Sequence, residues 1–240
     1  MAVYQVMSFT DMVNMVITET GRDEMTFSED GGTGEIPRAL QAATLKMHGL
    51  DFFYKDIQTA QVVFDSSAYI QTLDVTTLPR YRNISYIRKW DPTLQTYQLN
   101  PTLLPPLFNS VGAINTQQSL GMLQVIDIDD IFDDYGTEKM DICYQAGSTL
   151  FIKCSNAISY ALAGWYAYPV VDISNHAANY NSWIANEYPF ALIYDASSKI
   201  YAGTGQQDQS RKFDSPDGQG GLVQGEISRI LMNNVHLGGR

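Results

Sequence analysis

The stretch Asn179–Gly203, NYNSWIANEYPFALIYDASSKIYAG, constrains the fold more than any other. Asn179, Asn181 and Ser182 are good N-cap residues, and Trp183, Ile184 and Tyr188 follow at helical spacing. Pro189 sits where a helix tolerates proline, which predicts the first turn of a continuing helix. Phe190, Ile193, Ser197 and Ile200 form a stripe with Tyr194 and Tyr201 beside it, and Gly203 supplies the stop. A helix edged with aromatics needs other elements to cover it. Two candidates lie near the start of the chain.

Ser8 followed by Asp11 reads as a capping box, and Met12, Val13, Val16 and Ile17 give an amphipathic stripe closed by Gly21. Residues 22–35 read as a polar, glycine-rich loop. No Lys-Ser/Thr follows it, so a phosphate-binding loop is disfavoured. Pro37 opens a second helix whose buried face is Ile36, Leu40, Ala43, Met47 and Leu50.

From about residue 58 the apolar period changes to two. Thr59–Phe64, Tyr69–Val75 and Asn83–Trp90 read as strands, and residues 91–122, with four prolines, as an extended excursion. Gln124–Ile128 reads as a strand, Met140–Gln145 and Thr149–Cys154 as a hairpin around Ala146-Gly147-Ser148, and Ser159–Val170 as a central strand apolar on both faces. Residues 204–221 have a linker's composition. Leu222, Ile227, Ile230 and Leu231 beyond it give one short helix an apolar side and suggest a terminal arm that docks on a neighbour, with packing back on its own domain as the plain alternative.

Chemistry is sparse. Asp127, Asp129, Asp130, Asp133 and Asp134 cluster, but Ile131 occupies the third ligand position of a calcium loop and no glycine follows. An exposed acidic turn is the plain reading, and a patch that repels passing DNA the sharper one. His48, His176 and His236 lie far apart, with no zinc or nucleophile motif around them, so no catalytic residue, metal or cofactor is expected. Cys143 and Cys154 read as packed thiols. With 15 basic against 26 acidic residues the net charge is −11, which opposes tight binding to a phosphate backbone. No run is long and apolar enough for a membrane span and no secretory signal is visible, so a soluble chain made in a cytoplasm is expected. From these features alone the expectation is an α+β domain with an adhesive C-terminal arm.

The order of five segments resembles the head-to-tail adaptor proteins of short-tailed bacteriophages, also called tail tube or gatekeeper proteins. They are FTDMVNMVITETGRD, EIPRALQAATLKMHGLDFFYKD, LPRYRNISYIRKW, GWYAYPV and NSWIANEYPFALIYDASSKIYAGTG, spread over residues 8–205. The chain departs from the simplest members at 91–122 and in its C-terminal part. The resemblance implies a helical bundle (residues 1–57 and 173–205), an inserted antiparallel β domain (58–172) and an extended C-terminal arm (206–240). It also implies a structural virion protein at the head-tail junction: a ring, commonly of twelve copies, beneath the portal of a DNA-filled capsid. Its partners would be the portal protein, gripped through Leu222, Ile227, Ile230 and Leu231, then tail nozzle or fibre proteins, its own copies, and double-stranded DNA that passes without specific binding. The rival expectation is a tail-associated protein that binds carbohydrate or degrades cell wall, using Trp90, Trp165 and Trp183.

Overall fold

A computed structural model describes residues 7–26, 34–90, 119–132, 136–172, 179–214 and 221–234. The elements in chain order are α1 (Phe9–Thr20), α2 (Glu35–His48), β1 (Ile57–Asp74), β2 (Tyr81–Trp90), β3 (Ser119–Val125), β4 (Ile142–Ala146) and β5 (Thr149–Ala167). They continue as β6 (Val170–Asp172), β7 (Asn179–Asn181), α3 (Trp183–Glu187), α4 (Pro189–Gly203), α5 (Gln207–Phe213) and α6 (Leu222–Asn234). The described residues divide into two compact units, one running up to Asp56 and again from Tyr168, the other Ile57–Ala167.

In the first unit local chemistry places each helix end. Ser8 Oγ accepts from the Asp11 N–H at 3.1 Å while Asp11 Oδ2 accepts from the Ser8 N–H at 3.0 Å, so the capping box forms with aspartate. Gly21, at φ 65°, ends α1 in the left-handed region and donates to Ile17 O. The continuous helix expected from 183 to 203 does not form. A residue before proline avoids the α region, Tyr188 sits at φ −136° and ψ 52°, and α4 restarts with Pro189 in its first turn.

Helix α4 is the centre of this unit, in contact with α1, α2, α5 and α6. Ala191, Ala196, Ser197 and Ser198 are all buried, and their small side chains let neighbouring helices approach on several sides. The larger core groups are Met12 and Val16 from α1, Leu40 and Met47 from α2, and Leu192, Ile193 and Ile200 from α4. Burying each such side chain contributes about 1.5–3 kcal/mol.

The second unit is a closed sheet. Strand β5 has 19 residues, long enough to carry β4 against Thr149–Lys153 and β2 against Ala161–Ala167 on one edge. Strand β3 bridges the gap, antiparallel to β2 and parallel to β4, so β5, β2, β3 and β4 close into a ring. The other edge of β5 is taken along its length by β1, with register breaks around residues 63–70. Leu123, Cys143, Ile152, Cys154, Ile87 and Trp165 are buried in the core. The Trp165 indole N–H is satisfied by Pro79 O at 3.1 Å.

These findings overturn the expected helical bundle with an inserted antiparallel β domain and an extended C-terminal arm. The chain is a mixed α/β protein, with six α-helices among the described residues and four strands in a closed sheet that includes a parallel pair. Residues 207–213, read as linker, form α5 because Phe213 is buried and stacks on Tyr201 at 5.9 Å, while Ser210 Oγ lies 3.0 Å from Ser198 Oγ. The terminal hydrophobics form α6, not an extended arm. Strand boundaries also shift. Thr59–Phe64 and residues 69–74 belong to one strand, as do Thr149–Cys154 and Ser159–Ala167, Val75 instead opens a 3-10 turn, and β3 begins at Ser119, inside the expected excursion. Residues 91–118 lie outside the described residues.

Candidate functional site

The most ordered polar constellation lies where the C-terminus of α2, the 3-10 turn Tyr54–Asp56 and the start of α3 meet. His48 is in the last turn of α2, Asp56 ends the 3-10 turn, and Ser182 caps α3. His48 Nδ1 lies 2.8 Å from Asp56 Oδ1, and His48 Nε2 lies 2.9 Å from Ser182 Oγ. The Trp183 indole N–H donates to the same Asp56 oxygen at 2.8 Å. With Nδ1–H directed at the carboxylate, Nε2 is left to accept the Ser182 O–H, and Ser182 Oγ in turn accepts the Ala185 N–H at 3.2 Å.

The connectivity is that of a Ser–His–Asp relay. The surroundings are not. Ser182 and His48 are 3% and 2% exposed, so a substrate carbonyl has no access to Ser182 Oγ in this arrangement. Phe53 packs edge-on against Trp183 at 5.2 Å, and Lys55 lies over the Trp183 ring at 4.6 Å while binding Glu187 at 2.6 Å. The network fastens two distant stretches of chain together. Sequence reasoning weighed His48 only against the other histidines and missed it. Its partner Ser182 is 134 residues away, and no spacing signals that meeting. His176 and His236 lie outside the described residues.

A second polar cluster fastens the same unit. Asp195, buried in α4, meets Lys46 of α2 at 2.5 Å and Lys199 at 2.6 Å, with Asp214 3.6 Å from Lys46. Partial burial works against the charge on Lys46, but the Asp195 carboxylate more than offsets it, with Asp214 adding to the effect, and holds the amine above its usual range.

In the second unit the acidic turn is exposed at Asp127, Asp129 and Asp130. Asp133 and Asp134 lie outside the described residues. The three carboxylates line an open groove of about 590 Å³ with Asn83, Gln124 and Gln145. Among the described residues no three His, Cys, Asp or Glu side chains converge to hold a metal ion. Nearby, Asp141 accepts from the Ser155 N–H at 2.9 Å and from Lys89 at 3.0 Å. Slight burial opposes ionisation, and these hydrogen bonds prevail, holding its carboxyl below the usual range.

The expected arm residues divide. Ile230 is fully buried, Ile227 and Leu231 pack partly buried against the same helical core, and Leu222 is 50% exposed. Trp90 and Trp165 are buried in the second unit and Trp183 is engaged in the first, so the three tryptophans build no exposed ladder. Among the described residues no helix is long and apolar enough to cross a membrane. Comparison with known proteins adds no relative: no family model matches the chain, and no curated protein is significantly similar to it.

Proposed function

We propose that this chain is a structural virion protein, a head-to-tail adaptor of the short-tailed bacteriophage kind. In this reading copies form a ring beneath the portal, extend the DNA channel and seat nozzle or fibre proteins of the tail. The observation that carries it is where the resembling segments lie. Three of the five are the helical stretches whose Met12, Val16, Leu40, Met47, Ile193 and Ile200 meet in one core. Segments alike in order are also joined in space, which a chance likeness of scattered helices does not require.

A ring subunit also needs separate surfaces for separate neighbours. Large apolar side chains are exposed at Val63, Tyr69 and Ile70 on β1, and at Leu222 and Met232 on α6. With Ile227, Ile230 and Leu231 engaged in their own chain, the portal contact falls to the outward residues of α6, Leu222 and Met232. The net charge of −11 suits a conduit that DNA passes without sticking.

Negative-stain imaging of the full chain mixed with the portal ring from the same source tests this. The expected result is a coaxial ring on the portal that Leu222→Ser with Met232→Ser weakens. A full chain that folds but never decorates the portal overturns the adaptor reading.

A further inference from the structure

We propose that the surface around β3 and the turn after it is a docking site for a basic amphipathic segment of another protein. Five large apolar side chains, Met122, Val125, Ile128, Phe132 and Met140, are exposed within this short stretch of chain. Backbone hydrogen bonds keep its two runs side by side: Gln124 N–H to Asp141 O at 2.9 Å, Ile126 N–H to Cys143 O at 3.0 Å, and Lys139 N–H to Ile131 O at 2.9 Å. Phe132 also bridges to Glu138. A concentration of exposed apolar groups held by regular backbone pairing is the usual mark of an interaction surface.

Charge selects the occupant. Glu138 is paired with Lys153 and Asp141 with Lys89, which leaves the exposed Asp127, Asp129 and Asp130 as the acidic excess beside Lys139. The groove of about 590 Å³ brings Val125, Ile126 and Ile128 together with the three aspartates. A surface that only repels DNA has no use for those apolar side chains, and nucleic acid itself is excluded by like charge. A second copy that docked through this same surface would set acidic side chains against acidic side chains. A partner segment with apolar residues on one side and lysine or arginine beside them satisfies both features. The surface stands whether or not the chain joins a portal.

The test uses the full chain and two labelled helical peptides of equal length, one built of Leu and Lys, the other of Leu and Glu, read by fluorescence anisotropy. The Leu/Lys peptide is expected to bind, to lose about tenfold in affinity when salt rises from about 0.05 to 0.5 M, and to outcompete the Leu/Glu peptide. Ile128→Ser with Phe132→Ser, and separately Asp129→Asn with Asp130→Asn, each weaken binding about fivefold or more. Asp65→Asn with Asp208→Asn, two acids elsewhere, leaves it unchanged. All these residues are exposed, so folding is preserved and checked by circular dichroism. No binding of the Leu/Lys peptide, equal binding of both peptides, or equal loss in the distant-acid variant overturns the proposal. So does a dimer in sedimentation that Ile128→Ser with Phe132→Ser returns to monomer, which gives the surface to a second copy.

Discussion

Asp56 Oδ1 stands 2.8 Å from His48 Nδ1, and both side chains are shut away from water. Removing the imidazole leaves a buried carboxylate with only the Trp183 N–H on that oxygen, while Asp56 Oδ2 already has no partner among the described residues. His48→Ala is therefore expected to cost about 1–3 kcal/mol for the carboxylate left without that donor, and more for the cavity it opens. Asp56→Asn keeps the shape and loses the charge, at about 1–3 kcal/mol. Ser182→Ala removes a cap and the Nε2 partner for about 1–2 kcal/mol. Urea midpoints measure all three, and the sealed Ser182 is expected to stay unlabelled by a fluorophosphonate in folded protein. Labelling, or a His48→Ala variant as stable as wild type, contradicts a fastening role.

Gly164 of β5 lies opposite Tyr86 of β2, and a Cβ there would come within 2.4 Å of the tyrosine ring. The ring covers the strand where a side chain is missing, an arrangement that fixes register between two strands. Gly164→Ala forces the ring off its site and is expected to cost about 1–3 kcal/mol. Adding Tyr86→Ala gives the new methyl room and recovers part of that loss. Thermal unfolding of the two single variants and the double variant measures the coupling, and strictly additive losses mean the two sites do not meet.

How much of this was legible follows from which interactions are local. Ser8 with Asp11, Gly21 and the apolar stripes of α1 and α2 act within a few residues, so periodicity and capping placed those helices, although α2 begins at Glu35, two residues before the Pro37 expected to open it. Tyr188–Pro189 was also local, and its effect was misread: proline was weighed by its own position and not by the constraint on the residue before it. The closure of the sheet was not legible. It depends on β5 carrying β2 and β4 on one edge, and on β3 running parallel to β4, which no alternation of apolar residues encodes. The His48–Asp56–Ser182 network was hidden because its partners are brought together by the whole fold. The acidic turn was visible as sequence, but the exposure of Met122, Phe132 and Met140 beside it was not.

Cys143 and Cys154 are both free and buried in the closed sheet. Burial pushes the Cys143 thiol up to about 12, with the nearby Cys154 adding to the effect, and burial pushes Cys154 up to about 11. Neither thiol is expected to react with a disulfide reagent at pH 8 until urea unfolds the chain. The sign of the pH effect follows from proton counting. Above about pH 9 the unfolded chain releases thiol protons that the folded chain keeps, so stability attributable to these groups falls as pH rises from 9 toward 11. Cys143→Ala flattens that decline relative to wild type. A variant whose stability falls as steeply as wild type over this range assigns the decline to other groups.

The two faces of α6 make opposite predictions. Ile230 is fully buried in the core that α4 centres, and Asn233 and Asn234 donate to the Tyr188 hydroxyl at 3.1 and 3.3 Å, so the helix is held to its own chain along its C-terminal half. Leu222 and Met232 face outward, the latter 81% exposed. Ile230→Ala is expected to cost about 2–5 kcal/mol because it opens a cavity in the helical core that can collapse only in part. Leu222→Ser and Met232→Ser stay within about 0.5 kcal/mol of wild type. Differential unfolding of the three variants separates a docked helix from a free arm. In a free arm Ile230→Ala would be as silent as Leu222→Ser, and α6 would then be available to a partner through its apolar side.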